Sequence, residues 1–188
     1  MKLVIKALIL FTFGTLQALA DSPAKPDINW NSVEDISKQI EYKLDQEHGE
    51  VTYGPNFANS AKSLSDNFSE IYLTRLIDHK GADHYALYIT AQYNDTDWRS
   101  YADAVNKQGN KLPLVTLSKN ENVCEGNAAC RYEERLAIPL SFLFFFDGAT
   151  MGLDLTISGN RVDKIMIPTT YFKAMLNSMP EEKLYDDI

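Results

Sequence analysis

The chain holds 188 residues, 45% of them hydrophobic and 11% aromatic, with a formal charge of −8. That length suits one domain whose core needs no covalent staples. An acidic surface repels phosphate backbones and anionic headgroups, which excludes nucleic acid as a partner and disfavours lipid surfaces.

Residues 1–20 read as a cleavable secretory signal peptide. Lys2 and Lys6 give a positive start, Ala7 to Thr15 an apolar stretch, and Ala18-Leu19-Ala20 a small-x-small cleavage pattern. The apolar stretch is too short to span a bilayer, and no later run reaches that length, so no transmembrane segment is expected. Cleavage after Ala20 would leave 168 residues, deepen the formal charge to −10 and deliver the domain to the periplasm.

Residues 21–29, with Pro23 and Pro26, read as a mobile N-terminus, and residues 30–180 as a single domain. Ser32 is an expected N-cap, with Glu34 and Asp35 in the first turn. Val33, Ile36, Ile40 and Leu44 recur at helical spacing, and Gly49 is the expected stop. Gly54-Pro55-Asn56 is a turn, and residues 57–68 carry no clear pattern.

From Glu70 the period becomes two. Ile71, Leu73, Arg75 and Ile77 alternate with Tyr72, Thr74 and Leu76, so both faces of this strand carry apolar residues. Lys80-Gly81-Ala82-Asp83 reads as a hairpin turn. The strand after it, His84 to Tyr93, puts Tyr85, Leu87, Ile89, Ala91 and Tyr93 on one face. Asn94-Asp95-Thr96-Asp97 is a turn. Strands are expected over Trp98–Val105 and Leu112–Ser118, the second placed at an edge by Pro113. Tyr132 to Leu140 is a strand, and Ser141 is placed to cap a helix over Phe142–Thr150. Gly152–Ser158 and Val162–Ile167 form a hairpin about Gly159-Asn160. Thr169 or Thr170 is the expected cap of a last helix holding Tyr171, Phe172, Met175 and Leu176. Residues 181–188 read as a polar tail.

About seven strands joined by short turns, without crossover helices, imply a mainly β fold of the α+β kind. An antiparallel β-sandwich or a partly closed barrel with a helix near each end is expected.

Cys124 and Cys130 are the only cysteines. In an exported protein an even count reads as a disulfide. Its short loop would put its stabilisation at the low end of about 2–4 kcal/mol. Two thiols without a Cys-x-x-Cys pattern do not complete a zinc site.

The run Cys124…Cys130-Arg131-Tyr132-Glu133-Glu134, with Tyr101-x-x-Ala104 and Gly109 upstream and Gly152-Leu153-x-Leu155-x-Ile157-x-Gly159 downstream, resembles a group of small exported bacterial proteins of unassigned function. The resemblance spans about residues 85–176. It implies a Gram-negative envelope setting and brings no activity or substrate.

Among candidate sites, Asp78-His79 and Asp83-His84 flank the hairpin turn. A turn at 80–83 would make the two histidines cross-strand neighbours, and these four residues a candidate for zinc or copper. Gly-x-Ser-x-Gly is absent. Glu133 and Glu134 face opposite sides of a strand, so one carboxylate points inward and needs a partner, with Arg131 and Arg135 nearest in sequence. Asn94, Asp95 and Asp97 have calcium-like spacing but lack the rest of an EF-hand loop. The run Phe142-Leu143-Phe144-Phe145-Phe146 leaves a helix no polar face, so it is a core plug, the wall of an apolar pocket or an interface. Tyr85, Tyr88, Tyr93, Trp98 and Tyr101 could extend such a lining.

No cofactor is implied, and no activated nucleophile or acid–base pair is visible. The expected function is therefore non-catalytic: a periplasmic protein that binds a partner protein or supports the envelope. A carrier of a small apolar ligand is the second reading, and an enzyme without a recognisable motif the third.

Overall fold

The computed structural model describes residues 27–45, 49–122 and 130–178. The expected leader, most of the expected mobile N-terminus, Cys124 and the polar tail lie outside these residues, as does one end of the expected disulfide.

Two antiparallel sheets, not closed into a barrel, share one hydrophobic core. The larger sheet has the order β1 (Glu41–Asp45), β2 (Gly49–Tyr53), β3 (Phe68–Ile77), β4 (Asp83–Asp95), β8 (Cys130–Leu140) and β7 (Val115–Asn122). The smaller runs β10 (Val162–Ile167), β9 (Leu153–Ser158), β5 (Asp103–Asn106) and β6 (Lys111–Leu112). Ile71 and Leu73 of β3, Leu87 and Ile89 of β4 and Leu136 and Ile138 of β8 face inward, toward Leu155 and Ile157 of β9 and Ile165 of β10. Helices α3 (Phe142–Met151) and α4 (Thr169–Asn177) complete the core with Phe145, Tyr171 and Phe172.

The long helix expected after Ser32 stops early. Ser32 does cap α1 (Val33–Ser37), accepting from the Asp35 N–H, but the chain then turns into the β1–β2 hairpin. Glu41-Tyr42-Lys43-Leu44 also alternates with period two, and pairing with β3 through β2 decides between the two periods. Gly49 is not a helix stop. Its φ is +122°, and a Cβ there would strike the Ile77 carbonyl, so the hairpin closes only on glycine. The unpatterned stretch is a 3-10 turn at Phe57–Ser60 followed by α2 (Lys62–Ser65).

Two expected strands are divided where the chain changes sheets. Residues 96–102 are not a strand but a link from β4 to β5, with Ser100 at φ +49°. Pro113, lacking an N–H, separates β6 from β7. Ser141 caps α3 as expected, accepting from the Phe144 N–H at 3.1 Å. Neither threonine caps α4: its N-cap is Pro168, and the Thr170 hydroxyl donates instead to the Trp30 carbonyl.

Candidate functional site

Two regions collect polar and aromatic side chains, one between the sheets and one on the outer face of the larger sheet.

The inner region is built on the link between sheets. Glu134 of β8 is 0% exposed. Its Oε1 accepts from the Tyr93 hydroxyl at 2.5 Å and the Ser100 N–H at 3.0 Å. Its Oε2 makes no hydrogen bond but faces Lys119 Nζ of β7 at 3.2 Å. The Tyr93 oxygen accepts from the Arg99 N–H. The Arg99 guanidinium lies over the Tyr93 ring, 4.1 Å from its centre, and donates to the Tyr101 hydroxyl. Tyr101 in turn donates to Asp163 of β10 at 2.6 Å. Burial and the adjacent carboxylates push both phenols above their usual range, so both remain neutral donors.

This cluster has the outward marks of a catalytic centre: buried charge, a strained serine and a lysine 3.2 Å from the Ser100 hydroxyl. Its chemistry points elsewhere. Lys119 Nζ donates to the Ser100 hydroxyl, so it is not placed as the base that would take the serine proton. The Ser100 N–H is already given to Glu134, so it cannot stabilise an oxyanion. The groups bind one another and thereby join the sheets. Sequence reading places one glutamate inward, but its partner is neither Arg131 nor Arg135. Arg135 pairs instead with Glu133 at 3.0 Å.

The outer region is a trough of about 610 Å³ across the larger sheet. An antiparallel sheet facing water on one side normally alternates polar outward. Here Tyr72 of β3 and Tyr88 of β4 line the trough, and Ala137 of β8 and Val115 of β7, in register with them, continue an apolar row beyond it across four strands. Tyr53 of β2 meets Tyr72 edge-on at 6.5 Å. A bulge between Thr116 and Ser118 accompanies the outward turn of Leu117, which is 52% exposed in the trough wall. Tyr88 is 40% exposed.

Beside the apolar row runs a polar one, Glu70, Thr90 and Arg135, again in register. Thr90 donates to Glu70 at 2.8 Å. Glu41 and Lys43 pair at 3.3 Å toward the β1 edge, and Lys43 lies over the Tyr53 ring. Burial, Glu70 and Glu41 raise the pKa of Tyr72, so its phenol keeps its proton.

The remaining sequence candidates fall apart from this trough. The β3–β4 register sets Ile77 opposite Asp83 and Leu76 opposite His84, so the turn occupies 78–82 and the two histidines are not cross-strand neighbours. Asp83 is taken by a two-pronged pair with the buried Arg75, both contacts at 3.0 Å. Asp78 accepts from the Lys80 and Ala82 N–H groups and faces His84 at 3.2 Å. Among the described residues no group of three or more His, Cys, Asp or Glu could hold a metal ion. Asp95 and Asp97 cap their own turn, accepting from the N–H of Thr96 and Trp98.

The phenylalanine run is divided by its helix. Phe145 is buried, and Phe142 and Phe144 pack against the core, while Leu143 and Phe146 are 63% and 45% exposed. The run lines neither the trough nor the 270 Å³ hollow beside Trp30, so it is not the wall of either. Tyr85 packs on Phe142 and Phe145 inside the core. Tyr93 and Tyr101 belong to the inner cluster, and Trp98 packs on Tyr132 at 4.7 Å. Only Tyr88 of the expected lining reaches the trough. Tyr53, Tyr72, Glu70 and Leu117 were not singled out from the sequence. The one signal for them was the apolar residues on both faces of β3.

No helix among the described residues is long and apolar enough to cross a membrane. Comparison with family models, curated proteins and solved structures finds no match.

Proposed function

We propose that this is a non-catalytic periplasmic binding protein whose ligand lies across the outer face of the larger sheet. The observation that carries this reading is the register-aligned row Tyr72–Tyr88–Ala137–Val115, apolar where a water-facing sheet is ordinarily polar. Flanking it, Glu70, Thr90 and Arg135 supply convergent polar groups, the combination that gives a ligand both contact area and orientation. The inner cluster supports the non-catalytic half, because its serine N–H and hydroxyl are engaged by the cluster's own groups and its carboxylate is sealed from solvent. The trough is about half open to solvent, which suits a ligand laid on a surface better than an acyl chain that must be enclosed.

A fragment screen read by protein amide shifts tests this. Small aromatic, polar and aliphatic fragments should perturb residues 70–76, 88–90 and 135–137 together. Hits gathered instead around α3 or around residues 98–101 would overturn the assignment.

A further inference from the structure

We infer that the trough takes a neutral, ribbon-like oligosaccharide. The inference rests on the trough being the binding site and adds the chemistry of its occupant.

Three observations select that chemistry. The first is charge. Two carboxylates and two cations line the trough, Glu41 and Glu70 with Lys43 and Arg135, and Arg135 is also paired with Glu133, so the trough offers no positive field that would favour a polyanion. The second is the kind of groups exposed. The floor is a paired sheet, whose backbone N–H and C=O groups are consumed by the ladders between β3, β4 and β8. A peptide laid across it would bring an amide at every residue and find few backbone partners. A sugar ring needs something different: a flat apolar surface for its C–H face, and side-chain donors and acceptors at its rim for hydroxyls. Tyr72 and Tyr88, opposite each other on β3 and β4, bring the aromatic surface for the first, and Glu70, Arg135 and the Tyr72 phenol serve the second.

The third is shape. From Glu41 on β1 to Leu117 on β7 the trough crosses all six strands, a span of about 24 Å at the usual strand spacing. An extended, β-linked chain follows such a path, whereas a coiled α-linked glucan turns away from it. A lipid chain in a half-open trough would keep part of its apolar surface in water.

Calorimetric titration of the full-length protein tests this, using β-1,4-linked oligomers of glucose and of N-acetylglucosamine. Sulfated oligosaccharides and extended peptides serve as the contrast. One neutral series should bind, with an affinity unchanged between low and high salt. Tyr88→Ala should weaken it about tenfold, and Tyr88→Phe much less, because the ring supplies the contact. Circular dichroism of Tyr88→Ala checks that the sheet persists. Tyr72→Phe is the second variant and should cost affinity through its hydroxyl alone. Binding of only sulfated sugars, or only peptides, with Tyr88→Ala still disruptive, would overturn the ligand class and leave the trough as the site. Sugar binding indifferent to Tyr88→Ala, or no binding by any probe, would overturn the inference.

Discussion

The inner cluster and the outer trough use nearly the same side chains, tyrosines beside glutamate, arginine and lysine, in opposite ways. Inside, Tyr93, Ser100 and Lys119 surround Glu134, and Tyr101 and Arg99 surround Asp163. Outside, among the described residues, the hydroxyls of Tyr53, Tyr72 and Tyr88 have no hydrogen-bond partner in the chain, and Glu70 has only Thr90. Burial makes a charged group look functional, but burial also forces it to be partnered. The groups with capacity left for a ligand are on the wetter face.

The comparison breaks most visibly at Glu134. Glu134→Ala removes the anion and leaves Lys119 and the Tyr93 hydroxyl without it. A loss of about 2–5 kcal/mol is expected in urea denaturation, because the Tyr93 hydroxyl and the Ser100 N–H each lose their acceptor while the partly exposed Lys119 turns to water. A loss under about 1 kcal/mol would mean that the cluster does not join the sheets. Tyr171→Phe comes next. That hydroxyl donates to the Pro55 carbonyl at 2.6 Å and accepts from the Leu73 N–H at 3.3 Å, tying α4 to the turn at one end of the trough. Its loss should cost about 1–3 kcal/mol, because two buried backbone groups lose their partner.

On the outer face the balance reverses. Tyr88→Ala, opposite Tyr72 in the β3–β4 register, should change stability by only about 1 kcal/mol while weakening the ligand about tenfold. The smallest effect is at the hairpin tip. The Ala82 N–H, His84 and the Lys80 N–H hold Asp78 below the usual carboxylate range. Its contribution to stability is therefore present above the unfolded value of about 3.9 and is lost as pH falls through the lower folded value. An acid titration of Asp78→Ala should show a slightly flatter decline below that pH than the parent.

Much of the architecture was legible where one strand's own pattern suffices. The period-two runs of β3, β4, β8, β9 and β10 and the caps Ser32 and Ser141 are local features, and local sequence specifies them. What depended on distant partners was not legible. Glu41 to Leu44 fits both helix and strand, and only β2 and β3 decide. Trp98 to Ala102 has strand-forming residues but is held out of the ladder by Tyr93 and Glu134. Lys119 and Glu134 meet because β7 doubles back on β8, a register that neither residue announces. The trough was half visible: Tyr72 and Leu76 opposite Ile71 and Leu73 marked β3 as apolar on both faces. Its alignment with Tyr88 and Val115 required the pairing of four strands.

The most direct test sets the two regions against each other with one ligand. The neutral oligosaccharide that binds best is titrated into Tyr88→Ala and into Lys119→Gln. The account predicts a loss of about tenfold for Tyr88→Ala and parental affinity for Lys119→Gln. Weakened binding in Lys119→Gln with Tyr88→Ala unaffected would contradict it, and would move the site to the cluster between the sheets.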